Sequence, residues 1–198
     1  YGMTGFGMAL SNPYEGERRP GHVGQSLPGV VIKRVSESGE DITDPTTPGE
    51  LAVKSRTAFR EYWGNPESTA KAFADGWFLT GDIAVIDEGA YRILGRASID
   101  IIKSGGYKLS ALEIEATLLE HPDVSEVAVI GVPDDEWGEI VAAAVVLANL
   151  VSEDSLAQWS RERMSSYKVP RKWIFTDALP RNALGKVTKP SLSKWFEG

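Results

Sequence analysis

The pattern of the chain changes at Gly95, and this change constrains the fold more than any single motif does. Before it, β-branched runs such as Val30-Val31-Ile32 alternate with Pro-Gly turn signals, a pattern typical of short antiparallel strands. After it, apolar runs alternate with capped helical segments. We therefore predict two domains, a β-rich domain over residues 1–95 and a compact α+β domain over residues 96–198.

The first domain is predicted to consist of short strands and one helix. Asn65, Pro66 and Glu67 supply an N-cap, a first-turn proline and an early acid, so we predict a helix from Pro66 to Phe73. The strands are predicted at residues 30–32, 51–53, 83–86 and 91–94, the last two joined by a hairpin turn. These elements indicate a small barrel-like sheet, and the fold class of the whole chain is α/β and α+β.

The second domain is predicted to alternate helices with buried strands. Ser110 and Glu113 form a capping box for a helix that runs to Glu120, and Ser152 caps another helix that reaches Met164. The remaining predicted elements are strands at residues 127–130, 141–147 and 173–175 and a final helix from Pro190.

Composition narrows the classes of function. With no cysteine, disulfides, thiolate catalysis and cysteine-based zinc sites are excluded. No apolar run is long enough to span a bilayer, so we expect no membrane partner. The two histidines, His22 and His121, have no partner at metal-ligand or triad spacing, and we assign them no function.

Charge is distributed unevenly along the chain. Residues 161–198 carry nine Lys and Arg against three Asp and Glu, a charge of +6, although the whole chain is at −7. An acidic chain without a basic stripe of interleaved aromatics is a poor candidate for binding nucleic acid. The basic end fits an anionic small molecule such as ATP or CoA, with a solvated basic surface as the alternative.

Four segments with polar residues suited to nucleotide chemistry occur in a fixed order. They are Tyr1-Gly2-Met3-Thr4, Trp77-Phe78-Leu79-Thr80-Gly81-Asp82, Gly95-Arg96 continuing through Asp100 to Lys108, and Pro180-Arg181-Asn182-Ala183-Leu184-Gly185-Lys186-Val187-Thr188-Lys189. Each one alone also fits an ordinary turn, salt bridge or solvated loop. Together they resemble the adenylate-forming superfamily, which includes acyl-CoA synthetases, luciferases and peptide-synthetase adenylation domains. The resemblance covers essentially the whole chain.

The resemblance implies nucleotide-binding roles for four residues. The ring of Tyr1 would stack on adenine, and the hydroxyl of Thr4 would meet the α-phosphate. Asp82 would accept hydrogen bonds from the ribose hydroxyls, with Arg96 at the same sugar. An ordinary turn is the alternative for Asp82, and a boundary salt bridge is the alternative for Arg96.

Lys186 is the residue to which the resemblance assigns catalysis. Attack of a carboxylate on the α-phosphate builds negative charge, which a lysine ammonium stabilises. Only Lys186 follows the Pro-Arg-Asn-x-x-Gly pattern, so the role falls there rather than on Lys189.

The resemblance also implies that residues 96–198 form a mobile domain. The hinge would lie at Ser98 to Asp100, where the spacing is one residue longer than in many relatives. After adenylation the domain would rotate and present Gly105, Gly106 and Tyr107 to CoA. A plain hairpin turn at the two glycines remains an alternative.

One position departs from the family pattern. A glutamate that helps hold Mg²⁺ usually follows the Thr of the first motif, and this chain has Gly5 there. The resemblance thus implies ATP, Mg²⁺ and CoA, but we assign no metal ligand. A non-catalytic fragment or an impaired relative is the alternative function.

Within the family, Ser11-Asn12-Pro13-Tyr14-Glu15-Gly16-Glu17-Arg18 resembles malonyl-CoA and methylmalonyl-CoA synthetases. Met8 would border the acyl pocket. An adenylation enzyme that loads a carrier protein, or one that activates another acid, is a further alternative. Because the chain opens inside a motif, we expect an N-terminal part of the same protein and no activity from the 198 residues alone. The location would be cytoplasmic, or mitochondrial if that N-terminal part carries a transit peptide.

Overall fold

The computed structural model describes residues 1–197, which divide into two compact units. The first unit spans Tyr1–Ala97 and the second begins at Ser98, two residues after the boundary predicted from the sequence. The strands are β1 (Gly2–Met3), β2 (Gly7–Met8), β3 (Leu10–Ser11), β4 (Gln25–Ser26), β5 (Val30–Val35), β6 (Gly49–Ser55), β7 (Phe73–Ala74), β8 (Trp77–Asp87), β9 (Ala90–Arg96), β10 (Ile101–Ser104), β11 (Tyr107–Ser110), β12 (Val124–Asp134), β13 (Gly138–Leu147) and β14 (Lys172–Phe175). The helices are α1 (Pro66–Ala72), α2 (Ala111–Leu118) and α3 (Glu153–Arg161), with 3₁₀ turns at Ser166–Lys168, Lys189–Ser191 and Ser193–Phe196.

The first unit is built on a five-stranded antiparallel sheet. Its order is β5-β6-β8, with β7 and β9 both pairing with β8. All four strands predicted for this part of the chain lie within β5, β6, β8 and β9. Among the described residues the sheet is open rather than closed into a barrel, so the mixed α/β class is confirmed without a closed barrel.

An aromatic cluster fills one side of this sheet. Phe6, Phe59, Phe73 and Phe78 have ring centroids 5.3–5.8 Å apart in tilted or edge-to-face pairs. Aromatic rings prefer such angled contacts because the positive edge of one ring meets the negative face of another. The cluster holds the turn after β1 against the main sheet.

Helix α1 begins as predicted. The side chain of Asn65 accepts a hydrogen bond from the backbone N–H of Ser68 at 3.0 Å, and Pro66 occupies the first turn. This cap satisfies one of the N–H groups that the first turn of a helix leaves without a partner. None of the residues of α1 is buried.

The second unit contains a five-stranded sheet of order β11-β10-β13-β12, with β14 parallel to β13. Strand β13 is apolar from Ile140 onward, as expected for a strand that is covered on both faces. Val141, Ala143 and Val145 pack with residues of α2 and α3, whereas Ala142 and Ala144 pack with the C-terminal segment. The predicted strand over residues 141–147 is therefore confirmed.

The predicted helix starts in this unit are also confirmed. The hydroxyl of Ser110 accepts from the N–H of Glu113 at 3.1 Å, and that of Ser152 accepts from the N–H of Ser155 at 3.2 Å. Helix α2 ends at Leu118 and helix α3 at Arg161, so both are shorter than predicted.

The predicted final helix from Pro190 is wrong. The segment forms two 3₁₀ turns, with the N–H of Leu192 bonded to Lys189 and that of Trp195 to Leu192. Leu192 and Phe196 are buried against β13. Tertiary burial of these two side chains, rather than helix propensity, determines the conformation of the segment.

None of the helices within residues 1–197 is both long and apolar enough to span a bilayer.

Candidate functional site

The first half of β8 places two polar side chains where core residues are expected. Thr80 and Asp82 are both buried, at alternate positions of a strand whose other buried residues include Phe78 and Ala84. Alternation puts these four side chains on one face of the sheet. A buried polar residue on an apolar face is the kind of exception that signals a specific role.

Hydrogen bonds fix the backbone around these two residues. The hydroxyl of Thr80 donates to the carbonyl of Leu51 at 2.9 Å and accepts from the N–H of Asp82 at 3.1 Å. Gly81 lies in the left-handed region with φ of 75°, and its N–H donates to Glu50 Oε1 at 2.8 Å. The strand therefore kinks at a glycine, and Asp82 is held in one orientation.

The carboxylate of Asp82 is shared by Tyr1 and Arg96. Arg96 pairs with Asp82 across the β8–β9 ladder, and its Nε lies 2.9 Å from Asp82 Oδ1. The phenol of Tyr1 donates to the other oxygen, Oδ2. Burial, followed by the hydrogen bond to Asp82, raises the pKa of Tyr1 well above its usual range, so the phenol remains a donor.

This cluster brings together three of the predicted nucleotide-binding residues. Only 10% of the Asp82 side chain is exposed, whereas 47% of the Arg96 side chain is. Each carboxylate oxygen has two lone pairs, so Asp82 keeps acceptor capacity beyond its bonds to Tyr1 and Arg96. The arrangement can accept hydrogen bonds from neutral hydroxyls while a nearby guanidinium balances its charge.

Thr4 and Gly5 form the turn between β1 and β2. The N–H of Phe6 donates to the carbonyl of Met3 at 3.1 Å and closes this turn, on which Thr4 is exposed. A Cβ built on Gly5 would lie 3.1 Å from two ring carbons of Phe59. The backbone N–H of Phe59 also donates to the carbonyl of Gly5 at 2.8 Å. An aromatic ring therefore packs tightly where the family pattern has a glutamate.

Met8 lines a groove on the first unit. The groove has a volume of about 930 Å³, and Tyr1, Leu10, Arg18 and His22 also line it. Met8 itself is 60% exposed. An exposed thioether is a soft, adaptable contact for a small apolar or mixed ligand.

The predicted hinge lies at the start of the second unit. Ser98 is its first residue, and residues 97–100 form a turn between β9 and β10. The backbone carbonyl of Asp100 accepts from the N–H of Ala111 at 2.8 Å, so the turn is tied to the start of α2.

Gly105 and Gly106 make the two-residue turn of the β10–β11 hairpin. Both have positive φ, 55° and 82°, and Ser104 pairs with Tyr107 on either side. A Cβ at Gly105 would lie 2.6 Å from the ring of Trp137, so this position also requires glycine for space. The predicted tight turn is present here, and the ring of Trp137 packs closely against Gly105.

Tyr107 presents an aromatic surface beside this turn. Its ring stacks on that of Tyr167 with centroids 4.7 Å apart and an angle of 7° between the planes. Both side chains are exposed. A stacked, exposed aromatic pair next to a glycine turn can bind a flat heterocycle or an extended chain.

Lys186 lies on a short loop after β14. The loop is closed by a bridge between Arg181 and Val187, and the N–H of Asn182 donates to the carbonyl of Lys186 at 2.9 Å. The Asn182 side chain accepts from the N–H groups of Leu184 and Lys186, both at 3.0 Å. Lys186 is exposed and makes no ion pair within residues 1–197. The loop holds its backbone in shape while the ammonium points to solvent.

Sequence reasoning missed one feature of this region. Lys189 was considered only as a second candidate for the role of Lys186, yet its ammonium lies 2.6 Å from Asp100 Oδ1 and 2.8 Å from Glu115 Oε1. Glu115 is separated from Lys189 by 74 residues of sequence. Because the partners are so far apart in sequence, no local pattern could have paired them.

Comparison with known families agrees with these observations. Residues 113–186 match the family described as the AMP-binding enzyme C-terminal domain. The chain as a whole is similar to a C-terminal portion of an adenylate-forming enzyme. The family resemblance drawn from the four motifs is confirmed.

Two curated relatives are similar to nearly the whole chain. The chain is 47% identical to the mitochondrial malonate–CoA ligase ACSF3 of Bos taurus, covering 97% of this chain and 36% of that protein. It is 46% identical to the malonate–CoA ligase of Arabidopsis thaliana, covering 100% of this chain and 34% of that protein. The chain thus spans about a third of the length of these curated relatives.

A solved structure shows the same fold. ATP-bound MatB from Rhodopseudomonas palustris superposes with a TM-score of 0.89 at 40% identity, covering 100% of this chain and 40% of that one. Fold and sequence therefore agree along the whole of this chain.

Proposed function

We propose that the full-length protein containing this chain is an AMP-forming acyl-CoA synthetase whose preferred acid is malonate or methylmalonate. The observation that carries the proposal is the buried Asp82 carboxylate, oriented by Tyr1 and Arg96 in a chain that is 46–47% identical to malonate–CoA ligases over nearly its whole length. ATP and CoA are the substrates that this class of ligase consumes with its acid.

The nucleotide is the ligand that the Asp82 cluster fits. A carboxylate with spare lone pairs accepts from both vicinal hydroxyls of a ribose, and Arg96 balances its charge. In this proposal the ring of Tyr1 stacks on the base and the exposed hydroxyl of Thr4 donates to the α-phosphate. The bond from Tyr1 to Asp82 would then fix the ring and the carboxylate relative to each other.

Lys186 acts in the first half-reaction. A carboxylate oxygen of the acid attacks the α-phosphorus, the bond to the β-phosphate oxygen breaks, and pyrophosphate leaves with its electron pair. Negative charge that develops on the phosphoryl oxygens is stabilised by the exposed ammonium of Lys186. In the second half-reaction the CoA thiol, deprotonated to a thiolate by solvent, attacks the acyl carbon, and the bond from that carbon to the phosphate oxygen breaks so that AMP leaves with the electron pair. Gly105, Gly106 and Tyr107 lie along the path of the pantetheine arm in this proposal. Ser98 and Asp100 serve as the hinge between these steps.

Mg²⁺ accompanies ATP in this class, but the residues described here do not supply a site for it. Within residues 1–197 no group of three or more His, Cys, Asp and Glu side chains is arranged to hold a metal ion. Gly5 offers no carboxylate. We therefore assign no step of the reaction to a metal held by this chain.

A second candidate, a non-catalytic protein of the same fold, is favoured by the packing at Gly5. The ring of Phe59 lies 3.1 Å from where a Cβ would be, so a side chain at this position requires the ring to move. A sequence that had lost its metal-binding side chain and filled the space would look like this. A ligase for another acid is the third candidate.

The deciding experiment is pyrophosphate release by the full-length protein with ATP and Mg²⁺. Malonate, methylmalonate, acetate and a long-chain acid are compared, beside Gly5→Glu and its uncharged match Gly5→Gln. Release with malonate or methylmalonate supports the proposal, whereas release with only acetate or the long-chain acid favours the third candidate. Release only in Gly5→Glu, not in Gly5→Gln, supports the impaired relative.

The tight packing at Gly5 calls for one further variant. Phe59→Leu combined with Gly5→Glu makes room for the new side chain. If the wild-type protein and both Glu variants all fail to release pyrophosphate with any acid while all three remain folded, the ligase proposal is wrong.

The location is tested separately. Relatives from Bos taurus and Homo sapiens are named as mitochondrial, which supports a mitochondrial location besides the cytoplasmic one expected from the sequence. Imaging of the tagged full-length protein distinguishes the two.

A further inference from the structure

A buried cluster of three charges lies at the end of the Lys186 loop. Lys189 Nζ is 2.6 Å from Asp100 Oδ1 and 2.8 Å from Glu115 Oε1, and the three side chains are only 11–13% exposed. At these distances both contacts are charge-assisted hydrogen bonds, which are stronger than those between neutral groups. One ammonium therefore lies between two carboxylates in a site that is largely closed to water.

The cluster joins three separate elements of the second unit. Asp100 immediately precedes β10, Glu115 lies in the middle of α2, and Lys189 comes three residues after Lys186. Glu115 Oε1 also accepts from the backbone N–H of Val129 in β12 at 2.7 Å. The end of the Lys186 loop is thus connected to the predicted hinge, to α2 and, through Glu115, to β12.

Charge balance makes Lys189 the essential member. Burial raises the pKa of Glu115, while the attraction of Lys189 and the N–H of Val129 lower it and the charge of Asp100 raises it. Without the ammonium, Asp100 and Glu115 would face each other as two like charges with little water. The lysine cannot be replaced by a neutral side chain without loosening this junction.

The other contacts of the loop are weaker. Arg181 pairs with Glu126 on β12, but these side chains are 44% and 42% exposed, and exposed ion pairs contribute little. Residues 182–186 are all exposed and bury no apolar surface that would hold them in place. The position of the loop therefore depends on its ends, where Val187 packs against the apolar cluster between β12, β13 and the C-terminal segment and Lys189 makes the most enclosed ion pairs.

We propose that Lys189 is a positioning residue for Lys186, and that its buried contacts with Asp100 and Glu115 hold the lysine loop in a defined place relative to the hinge end of β10. This role rests on the proposed function, in which Lys186 serves adenylation. Strand β10 does not depend on Lys189 in the same way, because β11 pairs with it along four residues and Ile102 is buried in the core. The CoA-facing turn should therefore survive loss of Lys189 better than the lysine loop does.

The test uses the full-length protein with Lys189→Met, which keeps the aliphatic stem, and Lys189→Arg, which keeps the charge. Adenylation is measured by acid-dependent ATP–pyrophosphate exchange, and thioester formation by CoA consumption from supplied acyl-adenylate. We expect Lys189→Met to lower kcat of adenylation about 100-fold, as misplacement of a reacting group by about 1 Å can do, with little change in KM for ATP. Thioester formation should stay within about threefold, and Lys189→Arg should recover most of the adenylation.

Two variants serve as controls. Glu126→Gln breaks the exposed pair at the other end of the loop and should leave both half-reactions near wild type. If Lys189→Met fails to fold, Lys189→Met combined with Glu115→Gln removes one of the two uncompensated carboxylates, and the same split between half-reactions is expected. Equal loss of both half-reactions in a folded variant, or unchanged adenylation, overturns the positioning role.

Hydrogen exchange separates this inference from the proposed function. The N–H groups of Asn182, Gly185 and Lys186 are hydrogen-bonded within the loop. They should exchange about tenfold faster in Lys189→Met than in wild type or Glu126→Gln, whether or not the protein is a ligase. Unchanged exchange means that Lys189 does not hold the loop. If exchange is faster in Lys189→Met but the full-length protein adenylates no acid, the role of Lys189 in holding the loop is supported and only the proposed function is refuted.

Discussion

Asn182 shapes the Lys186 loop, and replacing it should slow one half-reaction selectively. Its Oδ1 accepts from the N–H groups of Leu184 and Lys186 at 3.0 Å each, and its own N–H donates to the carbonyl of Lys186. Asn182→Ala removes the two side-chain bonds and keeps the backbone one. The loop should then sample more conformations, and fewer of them present Lys186 correctly.

The expected magnitude follows from these two bonds. A hydrogen bond contributes a net ~0.5–1.5 kcal/mol, and exposed bonds fall in the lower half of that range. Two of them therefore correspond to about 1–2 kcal/mol of loop organisation. If this free energy no longer stabilises the transition state of adenylation, kcat falls about 5- to 30-fold.

The assay is acid-dependent ATP–pyrophosphate exchange by the full-length protein, beside thioester formation from supplied acyl-adenylate. Asn182→Asp is the matched control because its carboxylate can accept both N–H bonds. We expect Asn182→Asp to retain most of the adenylation that Asn182→Ala loses, and thioester formation to be unaffected in both. If Asn182→Ala adenylates as fast as wild type, the side chain does not organise the loop, and the reasoning from these bonds is refuted.

Three further predictions concern stability. Arg34 is buried and donates to the carbonyls of three residues in the 44–47 turn, so Arg34→Met should lower the free energy of unfolding of the first unit by about 2–4 kcal/mol in denaturant titrations; a change below experimental error would contradict this. Leu156→Ala should lower the free energy of unfolding of the second unit by about 2–5 kcal/mol, because Leu156 is fully buried in the core of that unit. An effect near zero in the same titration would show that the core closes around the smaller side chain without leaving a cavity. Burial, together with the charge of Asp100, raises the pKa of Glu115 above its ordinary value of 4.5 although Lys189 lowers it, so its contribution to stability is full below pH 4.5 and is lost as pH rises through the raised pKa. The difference in unfolding free energy between wild type and Glu115→Gln should therefore decrease as pH rises, and an increase would contradict the direction of the shift.

Local patterns predicted the starts of elements better than their ends. Asn65, Ser110 and Ser152 each cap the predicted helix because the caps depend on bonds within three residues of sequence. The ends of α2 and α3, and the two 3₁₀ turns after Thr188, depend on what the segments pack against. Those contacts come from residues far away in the chain, and no local pattern reports them.

The sequence by itself determined the resemblance to adenylate-forming enzymes, the main strands of the first unit and the caps of α1, α2 and α3, since these follow from motif order, periodicity and local hydrogen bonds. Tertiary structure alone decided that Asp82 would be buried between Tyr1 and Arg96, and that Lys189 would meet Asp100 and Glu115. The physical reason is that a charge can be buried only where folding brings compensating partners to it. Partners 81, 89 and 74 residues apart are brought together only by the packing of strands and helices.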